Sequence, residues 1–265
     1  MAAADLGPVC SRWDRVNKKC GKTTTVWQVP GTQASHFLAK MSTDVDGSPR
    51  AYHPSDKKNP DNAGKAFDWL TSVKMSDLLG IQGQDAVGPA PGYYVCATSL
   101  KDESVTNKKD ASRYVDACVV PYIVLPSGSF PVPLGKTLEL GCLAFVVDRV
   151  NGRSSGAIFA DVGHTVGEAS LALSMRLGHR PFYSTKYPKV VGFDEEEYDD
   201  RFFYLVFPGN VVAPPWPEAT IQAQAKALFE AWGGEAELRA LYPGTHVLLP
   251  PDPVALPPPN DAPPN

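Results

Sequence analysis

Through most of the chain, apolar residues come in short β-branched and aromatic runs broken by glycine, proline and aspartate. Helical spacing is confined to a few stretches. Residues 23–29 (TTTVWQV) and 93–99 (YYVCATS) read as strands, and residues 35–41 as a further short element. Residues 114–125 carry two β-rich runs split by Pro121, which suits an edge strand, a bulge or the start of the second run. Residues 134–149 read as a strand pair or one bent strand with its break at Gly141. Asn151-Gly152 predicts a hairpin turn between residues 143–150 and 155–159, so Asp161 falls at the end of the second strand. Residues 202–207 (FFYLVF) are apolar throughout and predict a core strand. Helical spacing appears over residues 69–79 and just after Glu168. It appears again over 219–232, where Ile221, Ala225, Leu228, Phe229 and Trp232 share one face and Gly233-Gly234 ends the run. A short helix is expected over 235–241. The pattern predicts a β-rich α+β domain over residues 1–247, with a barrel-like closed sheet and a few peripheral helices. Residues 248–265 are proline-rich and expected to form a flexible tail, and residues 1–24 are expected to be a solvated arm packing one tryptophan, Trp13.

Composition adds limits. Among 265 residues, 26 prolines and 22 glycines favour many short elements over a helical bundle. The net charge of −4 argues against nucleic acid as a partner and suits a cationic one. No run of about 18 apolar residues is present, so no membrane-spanning helix is expected. The first 15 residues lack the basic start and apolar core of a secretory signal, which leaves the compartment open. Five cysteines at irregular spacing make neither a zinc pattern nor a full disulfide framework. Cys10 and Cys20 could close a small loop or remain free thiols.

Candidate chemistry concentrates in residues 157–177 (AIFADVGHTVGEASLALSMRL), where a strand delivers Asp161, glycines turn the chain, and Glu168 precedes a helix. In a continuous strand the two acids would lie ~23 Å apart on opposite faces. With Gly163 and Gly167 turning the chain, a gap of roughly 6–10 Å is reachable, the separation at which an inverting glycosidase accommodates a water. A helix N-terminus favours the ionised form of Glu168, which suits it as base and Asp161 as acid. The structural alternative is a turn-forming Asp and a cap-partner Glu. His164 is a third polar candidate between them. Asp44-Val45-Asp46-Gly47 resembles the start of a calcium loop, but its twelfth position is Ser55 rather than an acid. An Asp-rich turn or a substrate contact fits better, and no metal is expected. The acidic block at 194–200 (DEEEYDD) is either a solvated loop or a subsite for amino groups.

The run AFVVDRVNGRSSGAIFADVGHTVGEASLAL resembles the signature region of fungal-type chitosanases, glycoside hydrolase family 75. Asp161 and Gly167-Glu168-Ala169-Ser170 stand at the matching positions. Asp44-Val45-Asp46-Gly47 is similar to the family's Asp-rich turn, and Pro121-Tyr122-Ile123-Val124 to its Pro-Tyr-Val-Val segment, all in order over residues 40–180. The resemblance implies a double-psi type barrel core and inverting endo-hydrolysis of β-1,4-linked amino-sugar polymer, chitosan first. It implies an Asp161–Glu168 pair, no cofactor and secretion. Asp44, Asp46 and Asp116 would line the cleft, with Tyr93, Tyr122 or Tyr183 as sugar platforms. Two differences are visible: Ala160 replaces a usual glycine, and the loop from Asp161 to Glu168 is shorter. A cell-wall (peptidoglycan) degrading effector and a non-catalytic carbohydrate-binding module on the same fold are the alternative readings.

Overall fold

The computed structural model describes residues 3–14, 16–48, 95–126, 128–179, 182–183, 188–189 and 199–248. The helix expected over 69–79, Tyr93, and the tail beyond residue 248 lie outside them. The strands are β1 (Ala4–Asp14), β2 (Lys19–Gln28), β3 (Ser35–Ala39), β4 (Ser42–Asp44), β5 (Tyr122–Leu125), β6 (Cys142–Asp148), β7 (Ser154–Val162), β8 (Glu168–Ser170), β9 (Phe182–Tyr183), β10 (Pro188–Lys189) and β11 (Phe202–Val211). The helices are α1 (Leu171–Arg176), α2 (Glu218–Trp232) and α3 (Gly234–Leu241). Nine strands form one mixed sheet in the order β1-β2-β3-β11-β6-β7-β5-β8-β4, and β9 and β10 pair separately. The protein is thus a sheet-rich α+β fold.

The apolar run at the start of β11 explains its central place. It pairs antiparallel with β3 on one side and β6 on the other, and both of its faces are buried. One face, with Phe145 and Leu205, is covered by α2, whose Phe229 stacks on Phe145 at 4.3 Å between ring centroids. Gln222 of the same helix accepts a hydrogen bond from the Gly156 amide at 2.8 Å, fixing α2 on β7. The opposite face packs a second core around Phe37, Phe159 and Tyr204, with Phe37 stacked on Tyr204. The Asn151-Gly152 hairpin joins β6 and β7 as the sequence predicts. No helix among the described residues is long and apolar enough to cross a membrane.

Four expectations need correction. The closed barrel is not what the ladder forms: the sheet is open, with β1 at one edge and β4 at the other. The chain changes partner at Lys40–Met41, so β3 pairs with β11 while β4, two residues later, pairs with β8. The N-terminal segment is a β-hairpin rather than a solvated arm, cross-linked by a Cys10–Cys20 disulfide. Arg12 and Lys22 of that hairpin bind Asp199, at the end of the acidic block, at 2.9 and 2.6 Å. The described part of residues 93–99 is not a strand, because its backbone polar groups bond to separate loops and strand ends. Within 114–125 and 134–149, regular strand is confined to β5 and β6, with Gly141 marking the start of the latter.

At the far end of β6, Asp148 is fully buried and ties the sheet to the segments around it. Its two carboxylate oxygens share the one N–H of Arg201 Nε (3.0 and 3.2 Å), and one of them accepts from Arg201 Nη2 (2.8 Å). The carboxylate also accepts a hydrogen bond from the Val150 amide and lies 2.9 Å from His179 Nε2. Burial alone would raise this carboxyl, but the imidazole, the guanidinium and the amide overcome it and hold the pKa at about 2.

Candidate functional site

The two candidate carboxylates meet through strand register. Val124 of β5 is opposed by Asp161 from β7 on one side and by Glu168 from β8 on the other. Neighbouring strands lie about 4.8 Å apart, so the two backbones flank one residue at a separation of roughly 10 Å. Residues directly opposite in a ladder point to one face, and Asp161 reaches that face through an irregularity. Ile123 pairs with Phe159 but Val124 pairs with Asp161, so Ala160 is an extra, bulged residue. A regular two-residue period would have sent Asp161 into the core with Phe159. The bulge turns it to the face of Val124 instead.

The loop between the acids brings them closer. A Cβ on Gly163 would stand 2.8 Å from Val124 and 3.3 Å from a carboxylate oxygen of Glu168, so the glycine is the space that lets Glu168 lie beside the Asp161 loop. The Val166 amide donates to Cys10 of the disulfide hairpin at 2.8 Å, and exposed His164 stacks on Trp13 at 4.8 Å. Glu168 stands just before a helix, two residues ahead of its cap, and not within its first turn. It opens β8, and Ser170 is the cap of α1, accepting from the Leu173 amide.

Asp44 and Asp46 join the pair. Strand β4 lies parallel to β8 with Ser42 opposite Glu168 and Asp44 opposite Ser170. One carboxylate oxygen from each of Asp44, Asp46 and Asp161 lies within 4.8 Å of the others, close enough for a cation to bridge them. The sharp turn after Asp46 depends on Gly47 (φ 79°), where a Cβ would come within 1.7 Å of the Val115 carbonyl oxygen. Within the turn, Asp44 accepts a hydrogen bond from the Asp46 amide at 2.9 Å, the Asx geometry read from the sequence.

These surroundings set the protonation of the acids. Burial, followed by the carboxylates of Asp46, Asp161 and Glu168, pushes Asp44 well above the usual carboxylate range. Burial also raises Asp161. Hydrogen bonds from the Ser99 hydroxyl, the Val162 amide (2.8 Å) and the Ser99 amide (2.9 Å) oppose that rise without cancelling it. Cys96 donates to Asp46 at 3.0 Å. Burial and the nearby acids raise its thiol, so it remains a neutral donor.

Asp161, Glu168, Asp44 and Asp46 thus converge. Asp116 does not join them. It lies across the Gly47 turn, where its carboxylate accepts from the Cys118 amide at 2.8 Å. Tyr122 is fully buried and its hydroxyl donates to the Asp46 carbonyl at 2.9 Å, so it supports the turn instead of offering a sugar platform. The side chain of Tyr183 and residues 194–198 of the acidic block lie outside the described residues. Ser99, Cys96 and Trp13 are the contacts that sequence reasoning missed. Ser99 carried no signal because its run resembled a strand, whereas Trp13 was visible as an aromatic among basic residues. No family model matches the chain, and no curated protein matches it.

Proposed function

We propose that this protein is a glycoside hydrolase of the chitosanase type, cleaving amino-sugar polymer by an inverting mechanism with Asp161 as general acid and Glu168 as general base. The observation that carries the reading is the pair's position on either side of Val124. An inverting enzyme needs its two carboxyl groups about 6.5–9.5 Å apart with a water between them, and backbones roughly 10 Å apart are compatible with that span. Burial favours the protonated form of Asp161, which suits donation of a proton to the leaving oxygen. Glu168, only partly buried and beside Gly163, is the group to take a proton from the attacking water.

The substrate class follows from charge. Four carboxylates share one patch, and their repulsion contributes to the raised pKa of Asp44. A ligand bearing ammonium groups relieves that repulsion, whereas an uncharged glycan does not. The ordered matches at Asp44–Gly47, Pro121–Val124 and Asp161–Ser170 point to the same substrate. The disulfide fits work in an oxidising compartment. The test is release of reducing ends from chitosan by the wild-type protein: steady release supports the reading, and none at any pH between 4 and 8 contradicts it.

Ser99 gives a pH-dependent prediction. Its hydroxyl donates to the Asp161 carboxylate and so favours the ionised form. In Ser99→Ala the Asp161 pKa rises further, and the basic limb of kcat/KM moves to higher pH by about one unit. A pH–rate profile checks this. An unmoved or lowered basic limb would remove Asp161 from the role of acid.

A further inference from the structure

On the other side of the Asp46–Gly47 turn lies a cleft of about 410 Å³, within the range of ligand sites in proteins. Two carboxylates, Asp102 and Asp116, line it together with Tyr114, Trp216 and Val119, and among the described residues no cationic side chain does. Gly47 belongs to both places: it follows Asp46 directly and forms part of the cleft wall. Its close approach to Val115, the residue between Tyr114 and Asp116, makes the acid-bearing turn and the cleft wall one continuous surface.

The side chains are held for binding. Tyr114 is half-buried and its hydroxyl donates to the Lys108 carbonyl at 2.8 Å, which fixes the ring. Trp216 is packed into the core beneath α2. Val119 is 55% exposed at the edge of the cleft, an apolar surface that a ligand would cover. Asp102 keeps its charge because the Ser104 hydroxyl and amide bond to it and hold its carboxyl below the usual range. Burial raises the Asp116 carboxyl, and a cation beside it would offset that rise. Apolar and aromatic surface beside two acids suits a hexosamine ring, whose C–H face packs on apolar groups while its ammonium pairs with the acids.

We infer that this cleft is an accessory subsite holding one further amino-sugar unit of the polymer, with its ammonium against Asp102 and Asp116 and its ring on Tyr114 and Val119. The subsite rests on the hydrolase reading of the adjoining acids and adds a preference: a deacetylated unit is favoured there, because an N-acetyl group carries no charge for the two aspartates. It lies apart from the reacting bond, so its residues select and position substrate without touching the reacting atoms.

The test uses the full chain with Asp161→Asn to stop turnover, and titrates glucosamine hexamer and N-acetylglucosamine hexamer by calorimetry. The glucosamine hexamer is expected to bind the parent better than the acetylated one. Its affinity should fall about tenfold when Asp102→Asn and Asp116→Asn are added together. Val119→Lys, a change at an exposed site that puts a cation into the cleft, should weaken it by at least as much. Neither change should weaken the acetylated hexamer comparably. Unchanged glucosamine-hexamer affinity in both variants overturns the subsite, as does equal weakening for the two sugars. Hydrolysis of chitosan by the wild-type protein alongside unchanged affinity rejects the subsite alone. Absence of both hydrolysis and hexamer binding rejects the subsite and the hydrolase reading together.

Discussion

If the proposed hydrolase reading holds, Glu168→Gln and Asp161→Asn are each expected to lower chitosan hydrolysis by roughly 10³-fold or more, the scale of losing a positioned acid or base. The melting temperature stays level or rises. Both expectations come from the same geometry. The pair flanks Val124 from opposite sides, so neither acid can take over the other's position. Both also add to the repulsion that raises the Asp44 carboxyl, so neutralising either relieves strain in the folded state. A structural acid behaves in the opposite way, losing stability and little rate. Parallel measurement of reducing-end release and of thermal unfolding separates the two. Full activity in either variant would end the role assigned to that residue.

The largest stability effect is expected at Asp148. Removing one member of a buried, hydrogen-bonded charge group leaves the others without a counter-charge, at a cost of about 3–5 kcal/mol. Asp148→Asn should therefore lower the melting temperature by roughly 10 °C, because Arg201 and His179 lose the carboxylate they share. The same network sets an acid limit. The folded pKa of about 2 lies below the ordinary 3.8. The unfolded chain therefore takes up the proton first as pH falls. The stabilisation is complete above about pH 4 and fades towards pH 2, by roughly 2.5 kcal/mol in total. Unfolding followed by circular dichroism across that range checks the claim. In Asp148→Asn this portion of the acid sensitivity should vanish, and an identical slope in both proteins would contradict the assignment.

Much of this architecture was legible because its signals are local. The Asn151-Gly152 turn, the apolar run at Phe202 and the one-sided face of α2 each declare an element within a dozen residues. The Asp161–Glu168 pair was visible for the same reason, as a strand end and a turn in one short stretch. Pairing between distant segments was not legible. That β4 lies beside β8, bringing Asp44 to the pair, depends on a parallel contact between residues more than a hundred positions apart, and parallel neighbours leave no turn signature. The bulge at Ala160 was also hidden: the residue stood out as different, but its effect on the direction of Asp161 appears only once Phe159 and Asp161 are seen on adjacent partners. Tyr122 shows the reverse error. An aromatic near an acid suggests a sugar platform, and its burial under the Asp46 turn gives it a supporting part instead.

The most direct measurement of the central claim is the anomeric configuration of the first product released from chitosan, followed by proton NMR in the opening minutes of the reaction. A direct displacement by water, activated by Glu168 across the gap beside Val124, releases the α-anomer from a β-linked polymer, which later equilibrates. Initial accumulation of the β-anomer would mean a covalent glycosyl intermediate and would contradict the roles given to Asp161 and Glu168.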